Sequence, residues 1–197
     1  MVLDLASGEV VHHRPLASDV AAQVIHALRV RLPGVCFAAE TEGELALEPA
    51  FEGAWDWRPP PETRFADALE LVADPVTKLF VRNVSCSLAE LADAVRDVAA
   101  RSASVSVSGE WVIEIVAAGV NKAAALEELA RDLRIDAADV VAFGDYPNDL
   151  PMLTWAGTSI APANAHPDVL ARVHEITASN DDDGVALAIE RLLEAQR

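Results

Sequence analysis

From residue 118 onward, short apolar runs alternate with helical stripes, and no other feature of the chain restricts its fold so tightly. Lys122 to Leu133 has helical spacing, VVAF (140–143) is an unbroken apolar run, and a helix over 149–156 leads to the run TSIAP (158–162). A helix over 165–172, a strand at HEIT (174–177) and a helix over 184–194 complete the series. Such alternation builds parallel strand–helix–strand units, which is an α/β architecture. VVAF shows no in–out alternation, as expected of a parallel strand covered on both faces.

Ligands of parallel sheets bind just beyond the carboxyl ends of the strands, and VVAF runs directly into GDYPND. Gly144 leaves room for close backbone approach, Asp145 is the first side chain off the strand, and Asn148 and Asp149 stand at a helix start. Free N–H groups and the positive dipole end favour anions at such a place. Paired carboxylates there suit a hard, oxygen-seeking cation such as Mg2+, which keeps waters and a substrate phosphate in its shell. By itself the stretch also reads as a plain turn, with Asp149 an N-cap and Pro147 a turn former. Lys122 shifts that balance, because it follows the strand-like EIVAAGVN and opens a helix in the same half. If its strand neighbours VVAF, its ammonium can neutralise a phosphoryl group; otherwise it is a solvated surface lysine.

The first half follows other rules. Residues 1–16 read as two short strands around Ala6-Ser7-Gly8-Glu9, and 18–31 as a helix capped by Ser18 or Asp19, with Val20, Val24, Ile25 and Leu28 as its apolar stripe. GVCFAAE is a strand, and 41–64 is expected to be irregular because three consecutive prolines forbid regular structure. A short helix, a strand at 76–82, a helix over 87–101 and a hairpin turning at Ser108-Gly109 follow. The change of pattern near 116–121 divides the chain into residues 1–117 and 118–197.

With 52% apolar residues among 197, each part can bury a core. A net charge of -17 repels phosphate backbones and anionic lipids, so no nucleic acid and no membrane is expected as partner. Cys36 and Cys86 lack ligand-type spacing and suit free thiols. No basic-then-apolar leader or membrane-length run is present, so the expectation is a soluble cytoplasmic protein.

Three stretches in order carry a resemblance: EIVAAGVNKAAALEELA, VVAFGDYPNDLPML and AGTSIAPANAHPDVLARVHEITASNDDDGVALAIERLL. Together they resemble the second half of a Cof-type phosphatase of the haloacid dehalogenase (HAD) superfamily. VLDLASGEVVHHRPL resembles the way that family's large α/β cap begins. The resemblance implies an α/β cap over 1–117 and an incomplete Rossmann-like HAD core, parallel strands with flanking helices, over 118–197. It implies Lys122 as the phosphate-binding lysine, Asp145 as the Mg2+ carboxylate and Asn148 near the phosphoryl group. Asp149 would support the metal through water or from behind it, and Asn164 and Gly144 would border the site. The implied reaction is Mg2+-dependent hydrolysis of a small phosphorylated metabolite, such as a sugar phosphate.

Members of that family attack phosphorus with an aspartate in a D-x-D-x-T/S stretch after the first core strand, and this sequence begins inside the cap. The only D-x-D is Asp181 with Asp183, which lacks the Thr and leads into the amphipathic run Val185, Ile189, Leu192, Leu193; it reads as the acidic start of the last helix. As a calcium loop the same stretch fails, since an EF-hand needs helices on both sides. The 197 residues alone are therefore expected to be inactive, with the uncovered edge of VVAF inviting self-association into a homo-oligomer. The alternative is a non-catalytic, metabolite-binding or regulatory protein of the same build. His12 and His13 read as surface residues, Trp55 and Trp57 as a packed loop or a substrate groove, and His166 and His174 lack partners at metal-ligand spacing. No G-x-S-x-G, Walker or G-x-G-x-x-G motif is present.

Overall fold

The computed structural model describes residues 1–51, 59–109 and 111–195. Trp55 and Trp57 lie outside the described residues, whereas Pro59, Pro60 and Pro61 are described and belong to no helix or strand. The chain forms two compact units, 1–120 and 121–197, and the fold is α/β.

In the first unit a small ribbon pairs β1 (Val2–Leu3) with β2 (Val10–His12). The main sheet has six strands in the order β5-β4-β3-β6-β8-β7. These are β3 (Cys36–Thr41), β4 (Glu44–Leu47), β5 (Arg64–Phe65), β6 (Lys78–Arg82), β7 (Ala103–Ser108) and β8 (Val112–Ala117). All their pairings are antiparallel except β4 with β5. Helices α1 (Ser18–Arg31), α2 (Ala68–Leu71) and α3 (Leu88–Ala99) accompany it. Because side chains alternate across a strand, Phe37, Ala39, Leu79, Val81, Ile113 and Ile115 all turn to one face, where Val24, Ile25 and Leu28 of α1 and Leu91 and Val95 of α3 complete the main core. The opposite face carries a smaller cluster of Cys36, Ala38, Leu47, Phe51 and Val112, with Leu45 and Phe80 packed against it.

Several local expectations need correction. Residues 44–47 are a strand rather than irregular chain, because Glu42 and Gly43 take positive φ (41° and 98°) and close a hairpin that the ladder with β3 rewards. The N-cap of α1 is Ala17, without a side-chain cap bond, so neither Ser18 nor Asp19 caps it. His13 is not a surface residue: its side chain is half-buried, with Nε2 3.0 Å from Thr77 Oγ1.

The second unit holds α4 (Lys122–Leu133), β9 (Val141–Phe143), α5 (Leu150–Trp155), β10 (Thr158–Pro162), α6 (Pro167–Leu170), β11 (Glu175–Thr177) and α7 (Gly184–Glu194). Its sheet is parallel throughout, in the order β11-β10-β9. Ala142, Leu153, Ala156, Ala161, Ala165 and Val169 form its core. Helix α6 is shorter than the expected 165–172, since His166 serves as N-cap and Pro167 begins the helix. A 3-10 turn over Pro147–Asp149 precedes α5, so that helix begins one residue later than expected.

Candidate functional site

Strand β9 delivers Gly144 and Asp145 to the carboxyl edge of the parallel sheet, and the 3-10 turn brings Asp149 back over them. Asp149 is buried, 3% exposed, and both of its oxygens are engaged. Oδ1 accepts a 2.5 Å hydrogen bond from Lys122 Nζ, and Oδ2 accepts from the backbone N–H groups of Asp145 (3.2 Å) and Tyr146 (3.3 Å). Asp149 stands at the N-cap position of α5, yet its side chain makes no cap bond there; it turns inward instead.

Lys122 does not arrive by way of a neighbouring strand. Strand β8, which precedes it, belongs to the six-stranded sheet, whereas β9 lies in the three-stranded one. Lys122 is instead the first residue of α4, which packs against α5 and so meets Asp149. Asn121 caps α4 by accepting from Ala124 N–H at 2.9 Å, which fixes where Lys122 leaves the helix.

Gly144 has a steric reason of its own. A Cβ built there would sit 2.6 Å from Asp149 Cβ and 3.0 Å from its Cγ, closer than real contacts allow. Only the missing side chain lets the buried carboxylate close over the strand end.

Asp145 is held at both backbone ends and open at its side chain. Its N–H goes to Asp149 and its carbonyl accepts from His166 N–H at 2.9 Å, while its exposed carboxylate bonds to none of the described residues. Asn148 is half-buried in the same turn. Asn164 ties two loops together: its Oδ1 accepts from Asn180 N–H (3.0 Å) and from the Ser179 hydroxyl (3.3 Å). Asp181 lies in a 3-10 turn and Asp183 takes φ 56° just before α7, so neither sits at the end of a strand. His174 contacts Ser159, with Nδ1 accepting from Ser159 N–H at 3.0 Å.

Two neighbours of the site escaped sequence reasoning. Tyr146 and His166 meet edge to face at 5.7 Å, and His166 Nδ1 accepts from Asp168 N–H at 3.1 Å as it caps α6. Tyr146 could have been marked by its place between Asp145 and Pro147; His166 gave no signal, because its approach depends on the loop after β10.

The arrangement offers one carboxylate without a bond to the described residues and one ammonium fixed by a buried carboxylate, while the amides of Asp145 and Tyr146 are taken by Asp149. No group of three or more His, Cys, Asp or Glu able to hold a metal occurs among the described residues. The donors suit a hard cation that takes one or two carboxylates and fills its shell with water and substrate oxygen.

A family model of haloacid dehalogenase-like hydrolases matches residues 1–189. The 5-amino-6-(5-phospho-D-ribitylamino)uracil phosphatase YwtE of Bacillus subtilis is 43% identical over 89 residues, covering 45% of this chain and 31% of that protein. A phosphoglycolate phosphatase of Methanothermobacter thermautotrophicus is 36% identical over 103 residues, covering 52% of this chain and 46% of that one. The matches thus span less than half the length of these relatives. Among solved structures, a haloacid dehalogenase-like hydrolase from Bacteroides thetaiotaomicron superposes with a TM-score of 0.73 at 24% identity, over 96% of this chain and 72% of its own. The HAD subclass IIB sugar phosphatase BT4131 gives 0.79 at 18%, over 94% and 70%. At those identities the likeness is one of fold.

Proposed function

This chain belongs to the haloacid dehalogenase-like hydrolases, and from that premise we propose that it carries the metal- and phosphate-holding part of a Mg2+-dependent phosphomonoesterase for small phosphorylated metabolites, sugar phosphates among them. The observation that carries the reading is Asp149, buried and bonded at once to Lys122 and to the amide of Asp145. One carboxylate thereby sets the direction of the ammonium and the pose of the free carboxylate beside it.

Asp145 would hold Mg2+ with one oxygen, and Asp149 would steady that ligand without giving up its bond to Lys122. The ion would supply charge neutralisation for a phosphoryl oxygen. Lys122, with two further N–H groups, binds phosphoryl oxygen as a point charge, and Asn148 donates from the turn. Gly144 and Asn164 border this space. The curated relatives act, by their names, on phosphate esters of a ribitylamino-uracil and of glycolate; the class, a small phosphate monoester, is what we carry over.

The 197 residues contain no D-x-D-x-T/S stretch, so by themselves they provide no acceptor for the phosphoryl group and turn over no ester. A test combines two measurements on the 197-residue chain. Inorganic phosphate with Mg2+ should raise the melting temperature, and Asp145→Asn should remove that rise. Release of phosphate from p-nitrophenyl phosphate should stay at background. Brisk Mg2+-dependent release, abolished in Asp145→Ala, would overturn the inactivity, and absence of any Mg2+ or phosphate effect would overturn the site.

A further inference from the structure

Two residues beside Asp145 carry aromatic rings, and each is followed by a proline: Tyr146 by Pro147 and His166 by Pro167. A proline disfavours helical backbone at the residue before it, and both residues are extended, with φ -126° and ψ 156° at Tyr146 and φ -57° and ψ 140° at His166. Each is then fixed by its own loop. The Tyr146 peptide is bound at both ends by Asp149, whose Oδ2 accepts from Tyr146 N–H at 3.3 Å and whose N–H donates to the Tyr146 carbonyl at 2.8 Å. The His166 carbonyl accepts from Val169 and Leu170 N–H at 2.8 and 3.1 Å, and its Nδ1 accepts from Asp168 N–H at 3.1 Å.

Asp145 lies between these two residues. Its carbonyl accepts from His166 N–H at 2.9 Å, and Tyr146 follows it directly in the chain. The two rings then meet at 5.7 Å with an interplanar angle of 71°, the edge-to-face arrangement. The loop after β9 and the loop after β10 are thus tied twice around one residue, once by a backbone hydrogen bond and once by a ring contact. Local structure does not ask for either ring. Asn or Ser would cap α6 as well as His166 does, and a turn such as Asp145 to Asp149 is ordinarily built from short polar residues.

We infer that Tyr146 and His166 are positioning residues for the cation site at Asp145, acting through their ring contact and not as ligands. The inference rests on the reading of Asp145 as the Mg2+ carboxylate. Mg2+ demands near-ideal octahedral geometry, so a carboxylate on a loosely held loop binds it weakly. Residues that orient a ligand without touching the ion typically weaken its affinity by about 10–100-fold when removed. A single ring contact belongs at the lower end of that range.

The test is titration of the 15N-labelled 197-residue chain with Mg2+, followed at the amides of residues 144–149, beside thermal melting of each variant. Tyr146→Leu should raise the Mg2+ dissociation constant about tenfold, and Tyr146→Phe, which keeps the ring, should bind like the parent. At position 166 the cap and the ring separate. His166→Asn keeps a cap acceptor and loses the ring, so it should melt near the parent yet bind Mg2+ as weakly as Tyr146→Leu. His166→Phe keeps a ring and loses the cap acceptor, so it should melt lower yet bind near parent strength. Mg2+ affinity equal in the parent, Tyr146→Leu and His166→Asn, or affinity that simply follows melting temperature across the four variants, would overturn the inference and leave the cation site standing. No Mg2+ response in the parent would overturn the cation reading itself, and the inference with it.

Discussion

At the scale of single residues, Asp149 and Gly144 act as one device. The carboxylate closes over the strand end only because position 144 has no side chain, so Gly144→Ala should push Asp149 away from its partners. Overpacking of this kind costs about 1–3 kcal/mol. Urea unfolding of the variant should show that loss, with Lys122 losing its partner at the same time. Asp149→Ala should cost a similar amount for another reason, since it leaves two amides without their acceptor. If Asp149→Ala melts like the parent, the hydrogen bonds drawn to it do not govern the turn. A third residue sets a pH limit. Burial pushes the Cys36 thiol from 9.0 up to about 11. The folded state therefore keeps that proton where the unfolded chain has lost it, and stability falls as pH rises from 9 to about 11, levelling off above. Cys36→Ser should flatten this part of the stability–pH profile.

At the scale of elements, Glu48 joins three pieces of the first unit. Its Oε2 accepts from Phe37 N–H of β3 at 2.8 Å, while Oε1 accepts from Ala68 N–H of α2 at 3.3 Å and from Arg29 of α1 at 2.6 Å. Arg29 also reaches Asp67, whose carboxyl it holds below the usual range, with help from the Leu69 amide that Asp67 caps. Glu48→Ala should thus cost roughly 2–4 kcal/mol, two unmet amides plus a lost charge partner, while Asp93→Ala on the exposed side of α3 should cost almost nothing. Chemical denaturation of the two variants side by side checks this. In the second unit, among the described residues, β9 pairs with β10 alone, and its Val141 is exposed. Its free backbone edge is a template for another strand.

At the scale of the whole molecule, two properties oppose each other. Exposed Val141, Ile176, Leu187 and Leu193 in the second unit favour association, and a charge of -17 resists it. We therefore expect self-association of the 197-residue chain to grow as salt screens the charge. Sedimentation velocity at low and high ionic strength should show the shift; a monomer under both conditions would mean that the open edge is protected. No described helix is long and apolar enough to cross a membrane.

The sequence by itself determined what depends on neighbours along the chain. Helices α1, α4 and α7 and strand β10 stand where apolar spacing and turn residues put them, because both act within a few positions. The same locality made the GDYPND turn legible as a place for Asp145, Asn148 and Asp149. Tertiary structure decided which groups meet. That Lys122 reaches Asp149 across the α4–α5 contact, that Asp149 turns inward instead of capping α5, and that His166 holds the carbonyl of Asp145 all follow from packing between distant segments. The hairpin at Glu42-Gly43 belongs with them, since its local signal is weak and the ladder with β3 stabilises it. The pairing of Lys78 with Glu114 is of the same kind, because only the register of β6 on β8 places those charges side by side.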